Sequence, residues 1–164
     1  LPLRAALLAA LWRPGRRLDL GDPLPAALLS SLCLFAAGGV LGFMIRGANV
    51  VIPAHYHGSI VGITLAFMGL AYYMLPRLGY RPPRRRLACW QSYVYAAGQL
   101  LHITGLAWSG GYGVQRKVAG GAQVLRSLPE VIGMGMMGIG GLIAIIGGGM
   151  FIIACLDSML RRRG

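Results

Sequence analysis

His55 and His57, in the stretch Ala54-His55-Tyr56-His57-Gly58, stand at the head of an apolar run that ends Met74-Leu75-Pro76-Arg77. Imidazole can ligate a transition metal, carry a proton near neutral pH, or donate and accept hydrogen bonds. In a hydrocarbon environment a strongly polar side chain costs at least about 2.5–3.5 kcal/mol, so polar residues there are functional suspects by default. At about 100° per residue, two side chains two positions apart lie about 200° apart around a helix axis. They point to opposite sides and cannot chelate one metal together from a regular helix. Each must serve a different partner, and the helix is sandwiched between two sites. On the residues alone, cofactor ligation stands level with interhelical hydrogen bonding or a proton relay.

The elements that must position these histidines follow from composition. Of the 164 residues, 56% are hydrophobic and only 12% are charged, a balance foreign to soluble domains. About 20 apolar residues in a helix cross a ~30 Å hydrocarbon slab. Four stretches meet that length, at about residues 24–45, 50–75, 87–108 and 131–156. The expected fold is all-α: an integral-membrane protein of four transmembrane helices. Residues 1–23 read as a cytoplasmic or interfacial segment and 24–164 as the four-helix transmembrane region. Leu1–Trp12 is too short to span, and its main basic cluster follows the apolar stretch, the reverse of a secretory signal. With leucine in first place, the chain reads as part of something longer.

A net charge of +12 would suggest nucleic acid in a soluble chain, but its distribution argues against that partner. Arg4, Arg13, Arg16 and Arg17 precede the first span, Arg77, Arg81, Arg84, Arg85 and Arg86 fall between the second and third, and Arg161, Arg162 and Arg163 follow the fourth. The opposite side carries Arg46, Arg116, Lys117 and Arg126. The positive-inside rule then makes both termini and the 77–86 loop cytoplasmic. The basic excess is topology, with some affinity for anionic membrane lipid. His55 and His57 fall in the outer half of the membrane, beneath the 110–126 loop.

Cys33, Cys89 and Cys155 sit in three different apolar segments without paired spacing and read as small buried residues. Small residues recur at helical spacing: Gly38 and Gly42; Gly58, Gly62 and Ala66; Gly140, Ala144 and Gly148. Such spacing lets helix backbones approach closely in lipid, and equally lets a flat macrocycle lie against a helix.

Phe35-Ala36-Ala37-Gly38-Gly39-Val40-Leu41-Gly42, then Ala54-His55-Tyr56-His57, Tyr72-Tyr73-Met74-Leu75-Pro76-Arg77-Leu78, His102-Ile103-Thr104-Gly105-Leu106-Ala107 and Gln115-Arg116-Lys117 together resemble the C-terminal part of subunit I of the heme-copper oxidase superfamily, helices nine to twelve. That superfamily includes cytochrome c oxidases and nitric oxide reductases. The resemblance covers nearly the whole chain. It implies that His55 ligates the iron of a high-spin, gas-binding heme and His57 that of a low-spin heme, with Arg116 and Lys117 meeting heme propionates. A forked guanidinium suits a carboxylate, which favours Arg116 over Lys117. It also implies copper or iron at a second metal site and partners in the remaining helices of subunit I. An electron-donor subunit or cytochrome c would complete the chain of transfer. The expected activity is electron transfer from low-spin to high-spin heme for reduction of dioxygen to water, with nitric oxide reduction as the alternative. A bacterial cytoplasmic membrane is the expected location.

Departures from the family pattern matter too. Gly47 and Ala48 stand where the large oxidase class has a His-Asp pair for magnesium. The chain holds three histidines, His55, His57 and His102, too few for a copper site and for the second axial ligand of a low-spin heme. Those ligands, and hence the completed catalytic centre, come from outside this chain. His102 reads as a hydrogen-bonded structural histidine. Ser127-x-x-Glu130, with Pro129 in the first turn, reads as a capping box. Asp157 with Arg161 at i+4 reads as an ion pair. A rival of another class is a non-catalytic four-helix membrane protein that binds heme b or acts as an assembly factor. A transporter finds little support, because no intramembrane carboxylate is available to couple ions.

Overall fold

The structure, a computed structural model, describes residues 19–118 and 124–161. Arg4, Arg13, Arg16, Arg17, Arg162 and Arg163 lie outside the described residues, as does the expected N-terminal segment up to residue 18.

Four helices follow one another in an up-down-up-down bundle: α1 (Pro23–Phe43), α2 (Val51–Arg77), α3 (Arg85–Gly111) and α4 (Leu128–Leu160). Each contains one of the four expected spans almost entirely. Among the described residues there is no strand, only a single antiparallel bridge between Asn49 and Gln115. The starts are chemically marked. Asp22 caps α1 by accepting the Leu24 N–H at 3.0 Å, and Pro23, which has no N–H to satisfy, opens the first turn. Just ahead of α2, whose N-cap is Val50, the Asn49 side chain accepts the Val51 N–H at 3.0 Å.

Helices α1, α2 and α4 are long and apolar enough to cross a membrane. Helix α3 has 27 residues, long enough to cross, but is less apolar. Three of its polar side chains face protein instead of lipid: Gln91, Ser92 and Ser109 are fully buried. The reason is its place in the bundle, packed against α1, α2 and α4. The outer surface is the reverse, with Phe43 93% exposed and Ile145 on α4 73% exposed. A continuous apolar exterior of this kind belongs in lipid or against further helices. The protein is an integral membrane protein.

Glycine sets how closely the helices approach. On α4 the positions against α3 are Gly133, Gly140 and Gly147, seven residues apart, meeting Gly98 and Gly105 on α3. A Cβ on Gly147 would lie 2.7 Å from the Cα of Tyr95, and one on Gly140 would collide with the backbone of His102. Of the expected set Gly140, Ala144 and Gly148, the first two sit in this seam, but Gly148 faces open space. Between α1 and α2 the crossing is at Gly38 and Gly58, where a Cβ on Gly58 would lie 2.6 Å from the Gly38 Cα. In lipid such backbone contact replaces the hydrophobic force that pairs helices in water.

Two sets of contacts tie the ends. At one end Val50 N–H donates to Val114 O at 3.1 Å, joining the α1–α2 and α3–α4 loops. At the other, Arg84 and Arg161 both hold Asp157, at 3.1 and 3.0 Å. The α2–α3 loop is further fastened there by Arg161 donating to Pro82 O at 2.6 Å and by Ser158 donating to Arg81 O. The expected Asp157–Arg161 pair is present, with Arg84 as a third member 73 positions away in sequence. Arg85 pairs with Asp19 at the same end.

Candidate functional site

His55 lies one turn into α2, half-buried, with Nδ1 2.7 Å from the carbonyl oxygen of Gly38 on α1. A carbonyl only accepts, so Nδ1 carries the hydrogen and the neutral ring keeps its lone pair on Nε2. The close crossing at Gly38 makes this reach possible, and Gly42 leaves room for the ring: a Cβ there would lie 2.9 Å from Nδ1.

His57 is exposed and uses the same tautomer by a local route. Its Nδ1–H donates to Pro53 O, one turn earlier on α2, at 2.9 Å. Its ring meets that of His102 on α3, with centroids 4.8 Å apart and planes tilted by 43°. His102 in turn donates from Nδ1 to Met137 O on α4 at 2.9 Å. His55 thus engages α1 while His57 faces α3, the opposed arrangement expected from their spacing. The hydrogen bond of His102 is as expected. Its contact with His57 is new, and a separation of 45 positions left no local signal for it.

Arg116 and Lys117 directly follow Gln115, which bridges to Asn49 at the head of α2. Arg116 is half-buried; Lys117 is exposed, with φ +60°, in the left-handed region that non-glycine residues enter rarely. Both therefore stand at the membrane end nearest the histidines. A depression of about 350 Å³ opens beside them, lined in part by Tyr112, Gln115, Arg126 and Glu130.

The expected capping box is only partly formed. Glu130 reaches back, but to the Arg126 N–H (2.7 Å), one residue earlier than the motif requires, and the Ser127 side chain makes no cap bond to the helix. Burial of the cysteines also differs from expectation. Cys89 is buried and Cys155 half-buried, whereas Cys33 is exposed on the outer face of α1. All three are free thiols.

Among the described residues no three His, Cys, Asp or Glu side chains converge as a metal-binding group. What α2 offers instead is two single imidazole donors on separate faces.

The family model for cytochrome c and quinol oxidase polypeptide I matches residues 5–150. The chain belongs to this family. Cytochrome c oxidase subunit 1 of Thermus thermophilus is 27% identical over 145 residues, 76% of this chain and 26% of that protein. An uncharacterized protein of Rickettsia prowazekii is 43% identical over 148 residues, covering 84% of this chain and 28% of that protein. In fold, the chain superposes on a solved heme-copper terminal oxidase dimer with a TM-score of 0.76 at 18% identity, over 99% of this chain and 33% of that one. This member of the cytochrome c and quinol oxidase polypeptide I family therefore spans about a quarter to a third of these relatives, and its four-helix fold matches one part of the larger oxidase chain.

Proposed function

We propose that this chain is the heme-binding C-terminal part, helices nine to twelve, of a respiratory terminal oxidase subunit I, seated in a bacterial cytoplasmic membrane with both chain ends on the cytoplasmic side. The observation that carries the reading is the pair of opposed imidazoles on α2, each with Nδ1–H committed to a backbone carbonyl and Nε2 free. A bare metal ion needs three or four protein ligands, which the described residues do not supply. An iron already held by four porphyrin nitrogens needs one or two, and a single oriented imidazole on each face meets that demand.

The residues divide the work. His55 would hold the high-spin heme iron and His57 the low-spin heme iron, with ring orientation and basicity set by the Gly38 and Pro53 carbonyls. Arg116 and Lys117 would supply cationic donors to propionates at the outer membrane face. When bound, the hemes supply one-electron transfer and, with a second metal held by residues outside this chain, reduction of dioxygen. The backbone of residues 55–57 is the covalent link between the two sites. The second axial histidine and the second-metal ligands would come from the remaining helices of subunit I, and electrons from a donor subunit or cytochrome c on the outer side.

A reduced-minus-oxidised visible spectrum, with and without carbon monoxide, tests this on the assembled enzyme containing the chain. His57→Ala should abolish the low-spin heme band and leave a carbon-monoxide-sensitive heme; His55→Ala should do the reverse. Loss of both hemes together in each stably folded variant would falsify the divided assignment.

A further inference from the structure

We propose that His102 is a positioning residue for His57, fixing the plane in which the His57 imidazole presents its Nε2. The inference rests on the reading of His57 as an axial ligand and adds to it a residue from another helix.

Geometry carries the argument. The bond from His57 to Pro53 O lies within its own helix and selects the tautomer, while the ring itself is exposed and so free of close enclosure. Among the described residues its aromatic neighbour is His102, at 4.8 Å between centroids and 43° between planes. A ring held at that separation blocks rotation of its neighbour about the Cβ–Cγ bond. His102 can serve as a stop only if it is itself immobile, and two features make it so. Its Nδ1–H is bonded to Met137 O across the α3–α4 seam. The seam brings α4 backbone to backbone with α3 at His102 because position 140 is glycine, and a Cβ on Gly141 would lie 3.4 Å from His102 Nδ1. The chain of contacts runs from glycine seam to Met137 carbonyl, to His102 ring, to His57 ring.

Ring planes of axial imidazoles govern the electron distribution at a low-spin iron, and neighbouring groups that orient metal ligands tune the metal they hold. His102 would thus act on the low-spin heme and leave the high-spin heme alone, since His55 is held from α1.

The test is low-temperature electron paramagnetic resonance and spectroelectrochemical titration of the full heme-loaded assembly, with two variants. His102→Gln keeps a donor for Met137 O and removes the ring; His102→Phe keeps the ring and removes the donor. The expected result is a shifted and broadened low-spin signal with a displaced midpoint potential in His102→Gln, and a smaller change in His102→Phe. The carbon-monoxide band of the high-spin heme should not move in either. An unchanged low-spin signal in His102→Gln, or equal loss of both hemes in both variants, overturns the proposal. A low-spin six-coordinate heme surviving in His57→Ala instead refutes the ligand reading itself, whatever the His102 variants do.

Discussion

Each histidine of this chain spends its Nδ1–H on a main-chain carbonyl: Gly38 for His55, Pro53 for His57 and Met137 for His102. One tautomer is selected in all three cases without any carboxylate, which in a membrane interior would cost several kcal/mol to desolvate. The cations at the histidine end permit a prediction at this scale. If Arg116 meets a propionate, Arg116→Ala removes a positive charge that stabilises the reduced heme, so the heme midpoint potentials should fall. Spectroelectrochemical titration measures this directly, and unchanged potentials would detach Arg116 from the cofactor. Inside the bundle, the Tyr72 hydroxyl donates to Gln91 Oε1 at 2.9 Å, both residues being buried. Tyr72→Phe should lower thermal stability by about 1 kcal/mol, as expected for one interhelical hydrogen bond in a membrane.

At the scale of elements, the helices meet through glycine, so added methyl groups distinguish seam from surface. Gly105→Ala places a Cβ on the backbone of Gly133 and Met137. It should cost about 1–3 kcal/mol through forced separation of α3 and α4. Gly135→Ala, on the same helix as the seam but with open space at its Cβ, should be neutral or stabilising by up to about 1 kcal/mol through helix propensity. Thermal unfolding of both variants in one detergent compares them. Equal losses would mean that the seam does not hold the pair together. Helix α3 shows why hydropathy alone undervalues a central helix: Gln91 is met by Tyr72 and Met68 on α2 and Ser109 by Glu130 O on α4, so it needs no apolar face on every side.

Over the whole molecule, the two ends are fastened by different chemistry. The end near the histidines is joined by main-chain hydrogen bonds between loops, the other by Arg84 and Arg161 around Asp157. Asp157 is only 20% exposed, but its partner Arg84 is 64% exposed, so solvent screens much of the attraction. Asp157→Asn should therefore cost no more than about 1 kcal/mol globally while loosening residues 78–84. Limited proteolysis should show faster cleavage in that loop, with the heme spectra unchanged. Faster cleavage in the 44–50 loop instead would show that the two ends are mechanically coupled.

The sequence by itself determined the class and the plan: four helices, their approximate limits, the membrane environment, and opposed directions for His55 and His57. Hydropathy and helical periodicity are local properties, and a two-residue spacing on a helix fixes an angle without reference to any neighbour. The family too was legible, through the order and context of short motifs. Only the tertiary structure decided which glycines form the seam, since small-residue spacings recur on several faces of α4 and packing selects one. It likewise decided that Arg84 joins Asp157, that Glu130 caps one residue early, that Cys33 faces outward, and that His102 meets His57. Each of these is a contact between elements, or a choice among nearly equal local geometries, and its partner is set by how the helices cross.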